Sequence, residues 1–258
     1  MTRIDRRALF TSGAAAALLA ATGVSATPQR GGRLRAALSG PMLDQAVGAT
    51  VYDNLTEIAA DGTLRGELAT DWSSDATARR WRFTLRDGVQ FHDGSAFDAH
   101  SVQSLPMTVK VIDTKTVDIL LDAPNPNLPY LLAHPGYELR SETGVGTGLY
   151  RVQKLDMGRH FISTRVPEHY KDSAGWFDSV EFVHFSADAV RAEALRDGMV
   201  DVADITALDP HADPRDFQTL PGGRGTTHIA ATTLAVPPAV GKSWPLDNLR
   251  MAERWWMA

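Results

Sequence analysis

The sequence contains no cysteine. That absence excludes disulfides, thiol nucleophiles, cysteine-type zinc sites and a lipid-modified cysteine at an export signal. Charge of one sign is not concentrated either. The chain has 26 Lys and Arg against 31 Asp and Glu, interspersed, for a formal net charge of −5. Without a basic patch or an aromatic-plus-lysine stripe, nucleic acid is not an expected partner. A G-x-S-x-G elbow is also absent, and Gly94-Ser95-Ala96 reads as a turn, which weighs against an exported hydrolase. No repeat recurs at a fixed period. No metal-ligating set converges in the sequence, and neither a metal nor a cofactor is expected.

What is present is ordinary. The 258 residues are 43% hydrophobic and 22% charged, a composition compatible with one large globular domain or two small ones. The N-terminus is the most readable segment. Arg3, Arg6 and Arg7 precede an Ala/Leu-rich run that ends at Val24-Ser25-Ala26. This is the order of an export signal: charged region, apolar region, small-residue cleavage site after Ala26. The run is too short and too weakly apolar for a membrane span. Arg6-Arg7 before Ala8-Leu9-Phe10 resembles a twin-arginine signal. Removal of residues 1–26, with three Arg and one Asp, shifts the net charge from −5 to −7. The expected location is the periplasm, free of a lipid anchor. An unprocessed amphipathic helix is the alternative.

The stretch RWRFTLRDGVQFHDG, residues 80–94, looks chemically busy. Its pattern predicts a hairpin instead. Trp81, Phe83 and Leu85 alternate with Arg82, Thr84 and Arg86, the period of a half-buried strand. Asp87-Gly88 supplies a turn, Val89 and Phe91 resume the alternation, and Asp93-Gly94 closes it. His92 and Asp93 point apart on an extended chain, so they make a poor metal pair.

The same reading continues along the chain. Strands are predicted at Leu34 to Ser39, Tyr150 to Val152, Phe161 to Val166, Val180 to Phe185 and Met199 to Ala203. A second hairpin is predicted over Thr108 to Leu121. Pro41 to Thr50 is a loop or helix start, and Val51 opens an apolar-periodic element. Asp98 is a candidate N-cap for a helix that Pro106 stops at once. Asn127 to His134 reads as a short helix. Ala187 to Gly198 reads as a longer one, with Val190, Ala194 and Leu195 on one face. Leu246 to Ala258 is helical in pattern, with Trp255 and Trp256 forming an exposed apolar patch or a dimer contact.

Five segments in this order resemble the family 5 solute-binding proteins of ATP-binding-cassette importers, the peptide, nickel and oligopeptide type. They are Tyr52-Asp53-Asn54-Leu55 with Asp61-Gly62 and Glu67-Leu68-Ala69-Thr70-Asp71-Trp72; the 80–94 stretch with Phe97 to Val102; Val111 to Leu121; Gly146-Thr147-Gly148-Leu149-Tyr150; and Ala194 to Asp201. Pro245 to Arg250 is similar to the segment that leads into the family's second lobe. The resemblance implies an α/β fold of the type II periplasmic-binding-protein kind. Here it covers the first lobe only: a mixed sheet with flanking helices and an antiparallel hairpin subdomain. The domain this implies is a lobe I-like domain over residues 27–258, with the second lobe expected to be missing. Between Val102 and Met107 a helix and loop of the family are also missing.

The resemblance further implies a small-molecule or peptide ligand, ABC permease subunits in the inner membrane as partners, and no catalysis. Carried over by position, it points to Met42, Leu43, Asp44, Tyr52, Tyr137, Thr147 and Gly148 as ligand-contacting. From the residues alone, Gly146 to Gly148 read equally as a plain turn, and Tyr52 and Tyr137 as half-buried structural tyrosines. A single lobe leaves a ligand wetted on one side, so weak binding, a partner that supplies a second lobe, or a structural role without transport are the expected consequences.

Overall fold

Nearly every alternating run becomes a strand, but the partners are not always neighbours in sequence. The computed structural model describes residues 30–59, 62–172 and 174–205, and the backbone of 217–220 and 228–232. The predicted signal residues Arg6, Arg7 and Ala26, and the predicted C-terminal helix with Trp255 and Trp256, lie outside the described residues.

The larger sheet is seven-stranded. Its members are β1 (Arg33–Leu38), β8 (Tyr150–Asp156), β9 (His160–Arg165), β10 (Ser179–His184), β11 (Val202–Ile205), β12 (Phe217–Leu220) and β13 (His228–Thr232), in the order β12-β13-β11-β1-β10-β9-β8. β1 runs parallel to both β10 and β11, and the remaining pairs are antiparallel. Helix α1 (Gly40–Val51) packs on one face. Leu34, Ala36 and Leu38 of β1 meet Leu43 and Ala46 of α1, together with Tyr150, Phe161 and Phe182. The phenylalanine rings of 161 and 182 stack with centroids 5.4 Å apart. On the other face lies the helix Asp188–Arg196, whose Ala194 and Leu195 pack on Ala37, Ala203 and Ile205.

Two smaller sheets complete the structure. β2 (Thr56–Ile58) pairs with β3 (Leu64–Gly66). A four-stranded antiparallel sheet has the order β4-β5-β7-β6, with β4 (Ala69–Ser74), β5 (Arg80–Leu85), β6 (Thr108–Asp113) and β7 (Thr116–Leu120). Trp81, Phe83 and Leu85 all face its core, as the alternation of β5 requires. Short helix α2 (Leu128–Leu132) closes that core with Leu128 and Leu132.

The hairpin expected over residues 80–94 is corrected. β5 pairs with β4 and β7, not with Val89 to Phe91. The two Asp-Gly turns instead fold residues 87–97 into a compact loop, fastened by a lone Gln90–Ala96 bridge. Val89, Phe91 and Phe97 all drop into the core, which repeats the period of a strand without a partner strand. Three smaller differences have local causes. The expected helix after Asp98 is a four-residue 3-10 turn, Ser101–Ser104. Asp98 does accept from the backbone N–H of His100 at 2.8 Å. Residues 52–55 form neither helix nor strand, and β11 starts at Val202 rather than Met199.

The turn from β1 into α1 is anchored from below. Ser39 does not cap α1 with its side chain. Its backbone N–H donates to Asp204 Oδ1 at 2.8 Å, and its hydroxyl donates to the other carboxylate oxygen. Asp204 is buried and is neutralised by Arg191 Nε at 3.1 Å. Arg191 donates further to Asp188 and to the Phe185 carbonyl, so this buried guanidinium is satisfied.

Candidate functional site

The segment that follows α1 is where the two cores meet. Asp53 is 3% exposed and accepts from the Thr147 hydroxyl at 2.8 Å and from Lys171 Nζ at 2.9 Å. Asn54 donates its side-chain amide to the Leu132 and His134 carbonyls, at 2.9 and 3.1 Å. Its backbone N–H donates to Glu67 at 2.7 Å. Thr56 donates to the Pro129 carbonyl at 2.6 Å. Four consecutive residues, with Leu55 in the core, thus tie α1, the β2–β3 pair, α2 and the 146–148 loop together.

Lys171 is the cation that the carboxylates of this junction share. Its ammonium pairs with Asp53 and Glu67, and lies 3.6 Å from Glu57. Burial by itself would depress the Lys171 ammonium, but Asp53, Glu67 and Glu57 outweigh it and hold the charge. Burial would likewise raise Asp53, yet Lys171, His169 and the Thr147 hydroxyl keep it well below the usual carboxylate range. Glu67 goes the other way. Burial, with Asp53 and Glu57 alongside, holds it well above its ordinary value against the pull of Lys171. The cluster therefore stores one ionised and one proton-prone carboxyl around a single ammonium.

The 146–148 loop is seated against the end of α1. The Gly148 N–H donates to the Val51 carbonyl at 2.9 Å. A Cβ on Gly146 would lie 2.0 Å from the Val51 oxygen, and one on Gly148 would lie 2.6 Å from the Thr50 oxygen. Both obstacles are backbone, so glycine is required by close approach. Two imidazoles hold the loop's carbonyls: His92 Nε2 donates to Gly148 at 2.7 Å and His169 Nε2 to Thr147 at 2.8 Å. His169 Nδ1 accepts the Lys171 backbone N–H at 3.0 Å, which fixes the neutral Nε2–H tautomer.

Burial lowers the pKa of both His92 and His169, with the accepting carbonyls only partly opposing it. A depressed folded-state value means the unfolded chain binds more protons, so stability is present above the ordinary histidine value of about 6.5 and is lost as pH falls below it. The melting midpoint is expected to drop from pH 7.5 to pH 5. In the His92→Gln/His169→Gln double variant that drop should flatten. Glu67, with its raised value, acts in the opposite sense in both proteins. An equal slope in parent and variant would refute the assignment.

A cleft opens beside the cluster, with a volume of about 110 Å³. α1 contributes Gln45 and Ala49, and Tyr52, Asn54, Thr56 and Glu57 follow along the chain. Ala133, Pro135 and Glu138 face them, with Lys171 and Glu67 between. The cleft shares Gln45, Ile58 and Glu138 with a wider groove of about 580 Å³ that reaches Asp44, Tyr130 and His134. Tyr52 carries the Arg140 guanidinium 4.2 Å over its ring and donates to the Gly144 carbonyl at 3.2 Å. The site thus offers apolar wall, hydrogen-bonding side chains and carboxylates in a concave setting, the general form of a small-molecule site.

The seven residues singled out from the sequence divide. Tyr52 lines the cleft and Asp44 the groove. Thr147 and Gly148 are buried beneath it, where they hold Asp53 and the end of α1. Leu43 is buried and Met42 half-buried against the core under α1. Tyr137 is half-buried against the core of the four-stranded sheet. Sequence reasoning missed Asp53, Asn54, Glu67, His169 and Lys171 as a unit. Asp53, Asn54 and Glu67 sat in quoted segments, but Pro167 to Asp172 carries no pattern that marks His169 or Lys171. Among the described residues, no group of three or more His, Cys, Asp or Glu is placed to hold a metal ion.

Known proteins share this architecture. The model of the bacterial extracellular solute-binding proteins, family 5 Middle, matches residues 63–105 and 103–238. The chain is similar to the "Probable D,D-dipeptide-binding periplasmic protein DdpA" of Escherichia coli (strain K12), 24% identical over 197 residues, 61% of this chain and 38% of that protein. It is also similar to the glutathione-binding protein GsiB of Salmonella paratyphi A, 25% identical over 187 residues, 60% of this chain and 36% of that protein. The chain thus spans little more than a third of the length of these curated relatives. Among solved structures, NikZ from Campylobacter jejuni with Ni(L-His) superposes with a TM-score of 0.62 at 19% identity, over 73% of this chain and 46% of that one. DppA from Helicobacter pylori with the peptide STSA gives 0.60 at 18% identity, over 69% and 47%. The fold is therefore that of a type II periplasmic binding protein, in part.

Proposed function

Because the chain belongs to the bacterial extracellular solute-binding proteins of family 5, we propose that it is the extracytoplasmic binding component of an ABC importer for a peptide or related small solute, without catalytic activity. The observation that carries this reading is the cleft between α1 and the loop after α2, with Tyr52, Asn54 and Glu57 on one side and Glu138 on the other. Of the residues carried over by position, Asp44 and Tyr52 meet the solute directly. Thr147 and Gly148 act through the end of α1, and Met42, Leu43 and Tyr137 through packing. The permease subunits in the inner membrane receive the solute. Export through Arg6-Arg7, with cleavage after Ala26, belongs to the same proposal.

In this reading the described cleft is one wall of a two-walled site, as the resemblance to family 5 implies. A ligand held on one side keeps water on the other, so apolar burial and pre-organised contacts are both reduced. Isothermal titration with di- and oligopeptides is expected to show binding weaker than about 1 μM, a free energy smaller than about 8 kcal/mol. Tyr52→Ala should weaken it further. Submicromolar binding by the monomer would contradict the one-wall reading. Absence of any peptide-induced rise in the melting midpoint would favour a lobe kept for a structural role, since a ligand selective for the native state must raise it. A chromogenic esterase and peptidase screen is expected to show no turnover.

A further inference from the structure

We propose that the β8–β9 hairpin is a docking surface for an anionic lipid bilayer. This goes beyond the solute-binding reading and does not depend on it. Residues 151–159 are exposed without interruption, through a strand and into its turn. An edge strand ordinarily buries one of its two faces. Among the described residues, neither face of residues 151–156 is covered. Val152 and Leu155 pair with Ser163 and Phe161, so they share the face that α1 covers elsewhere in the sheet. They lie beyond the helix, 38% and 45% exposed, and Met157 at the turn is 76% exposed.

Three of the exposed side chains in residues 151–159 are basic: Arg151, Lys154 and Arg159. Arg151 and Lys154 pair with Thr164 and Ile162, on the opposite face from Val152 and Leu155. Arg159 follows at the turn. Asp156 is the one acid in residues 151–159, a net charge of +2 in a chain of −5. It lies 3.9 Å from Arg159 and is itself exposed, so it offsets the patch only in part. Beyond a Debye length of about 8 Å, the acidic remainder of the chain is screened from a surface that the hairpin touches. Exposed apolar side chains on one face and at the turn, with Arg and Lys on the other face and beside the turn, match the chemistry of an anionic interface: acyl chains and phosphate.

Strand addition by a protein partner fits less well. The register of β8 shifts between Val152 and Lys154, a bulge that interrupts the row of hydrogen-bonding groups an added strand would need. A lipid surface makes no use of that row.

The test is co-sedimentation of the full chain with vesicles of phosphatidylglycerol and phosphatidylcholine, or of phosphatidylcholine alone, at about 0.1 M salt. The parent should bind the anionic vesicles, lose them in high salt, and ignore the neutral ones. Arg151→Glu/Lys154→Glu should reduce partitioning by about tenfold or more, and Met157→Ser by a few-fold. Lys110→Glu, on the distant strand β6, should bind like the parent. Circular dichroism of every variant should match the parent, since all these side chains are exposed. Unchanged binding in Arg151→Glu/Lys154→Glu, with any attachment then carried elsewhere in the chain, overturns the proposal. So does equal binding to neutral vesicles, or attachment only to a protein partner.

Discussion

Replacing Lys171 by methionine is expected to cost about 3–5 kcal/mol of folding stability, because one ammonium answers the buried carboxylates of Asp53 and Glu67. Removing it leaves charge in a site 3% exposed at Asp53. The loss should depend on pH in a defined direction. Without Lys171 both carboxyls would have folded-state values above their unfolded ones. Stability is then retained below the unfolded value and lost as pH rises, so the variant should approach the parent near pH 5 and fall furthest behind near pH 8. A second change sharpens the argument. Glu67→Gln alone should be milder than Lys171→Met, because burial beside Asp53 and Glu57 already opposes the charge that the substitution removes. Combined with Lys171→Met, it should recover part of the loss, a coupling that a double-mutant cycle measures. A midpoint within a degree or two of the parent for Lys171→Met would mean the cluster does not hold the junction.

Gly148→Ala is expected to cost about 3 kcal/mol or more, the largest effect of any single methyl addition in the described structure besides those at Gly146 and Gly66. The new Cβ would sit 2.5 Å from the Val51 carbonyl carbon and 2.6 Å from the Thr50 oxygen. Those atoms belong to the last turn of α1, so no side-chain rotation relieves the clash. Either the helix end or the loop must move, and both hold the site. The displaced loop would pull Thr147 from Asp53 and the Gly148 carbonyl from His92. Gly40→Ala is the matched control. Its added carbon meets only His184 Cε1 at 3.7 Å, so denaturant unfolding should place it within about 0.5 kcal/mol of the parent. If Gly148→Ala unfolds at the same denaturant concentration as Gly40→Ala, the loop is not seated as described.

The two predictions rest on residues of unequal legibility. Gly146 and Gly148 were visible as a loop before a strand, and Tyr52 to Leu55 as a family-like run. In the four-stranded sheet β5, β6 and β7 were readable from alternation, down to Trp81, Phe83 and Leu85 facing inward; β4 was not. The pairing was not. Residues 80–94 carry hairpin signals at both Asp-Gly turns, yet β5 finds its partners in β4 and β7, and the loop after it packs apolar residues without a ladder. Alternation reports which side of a segment meets the core. It says nothing of which strand lies alongside, because backbone hydrogen bonds are the same for every partner.

By itself the sequence determined the periodic elements, the absence of thiol chemistry, and the order of segments that places the chain in its family. Periods of two and of about 3.6 residues are local properties, set by backbone geometry and read off a short window. Only the tertiary structure decided the site. Lys171 reaches Asp53 and Glu67 across 118 and 104 positions of chain. Whether such groups meet is decided by the burial of two cores against each other, and no local pattern carries that distance.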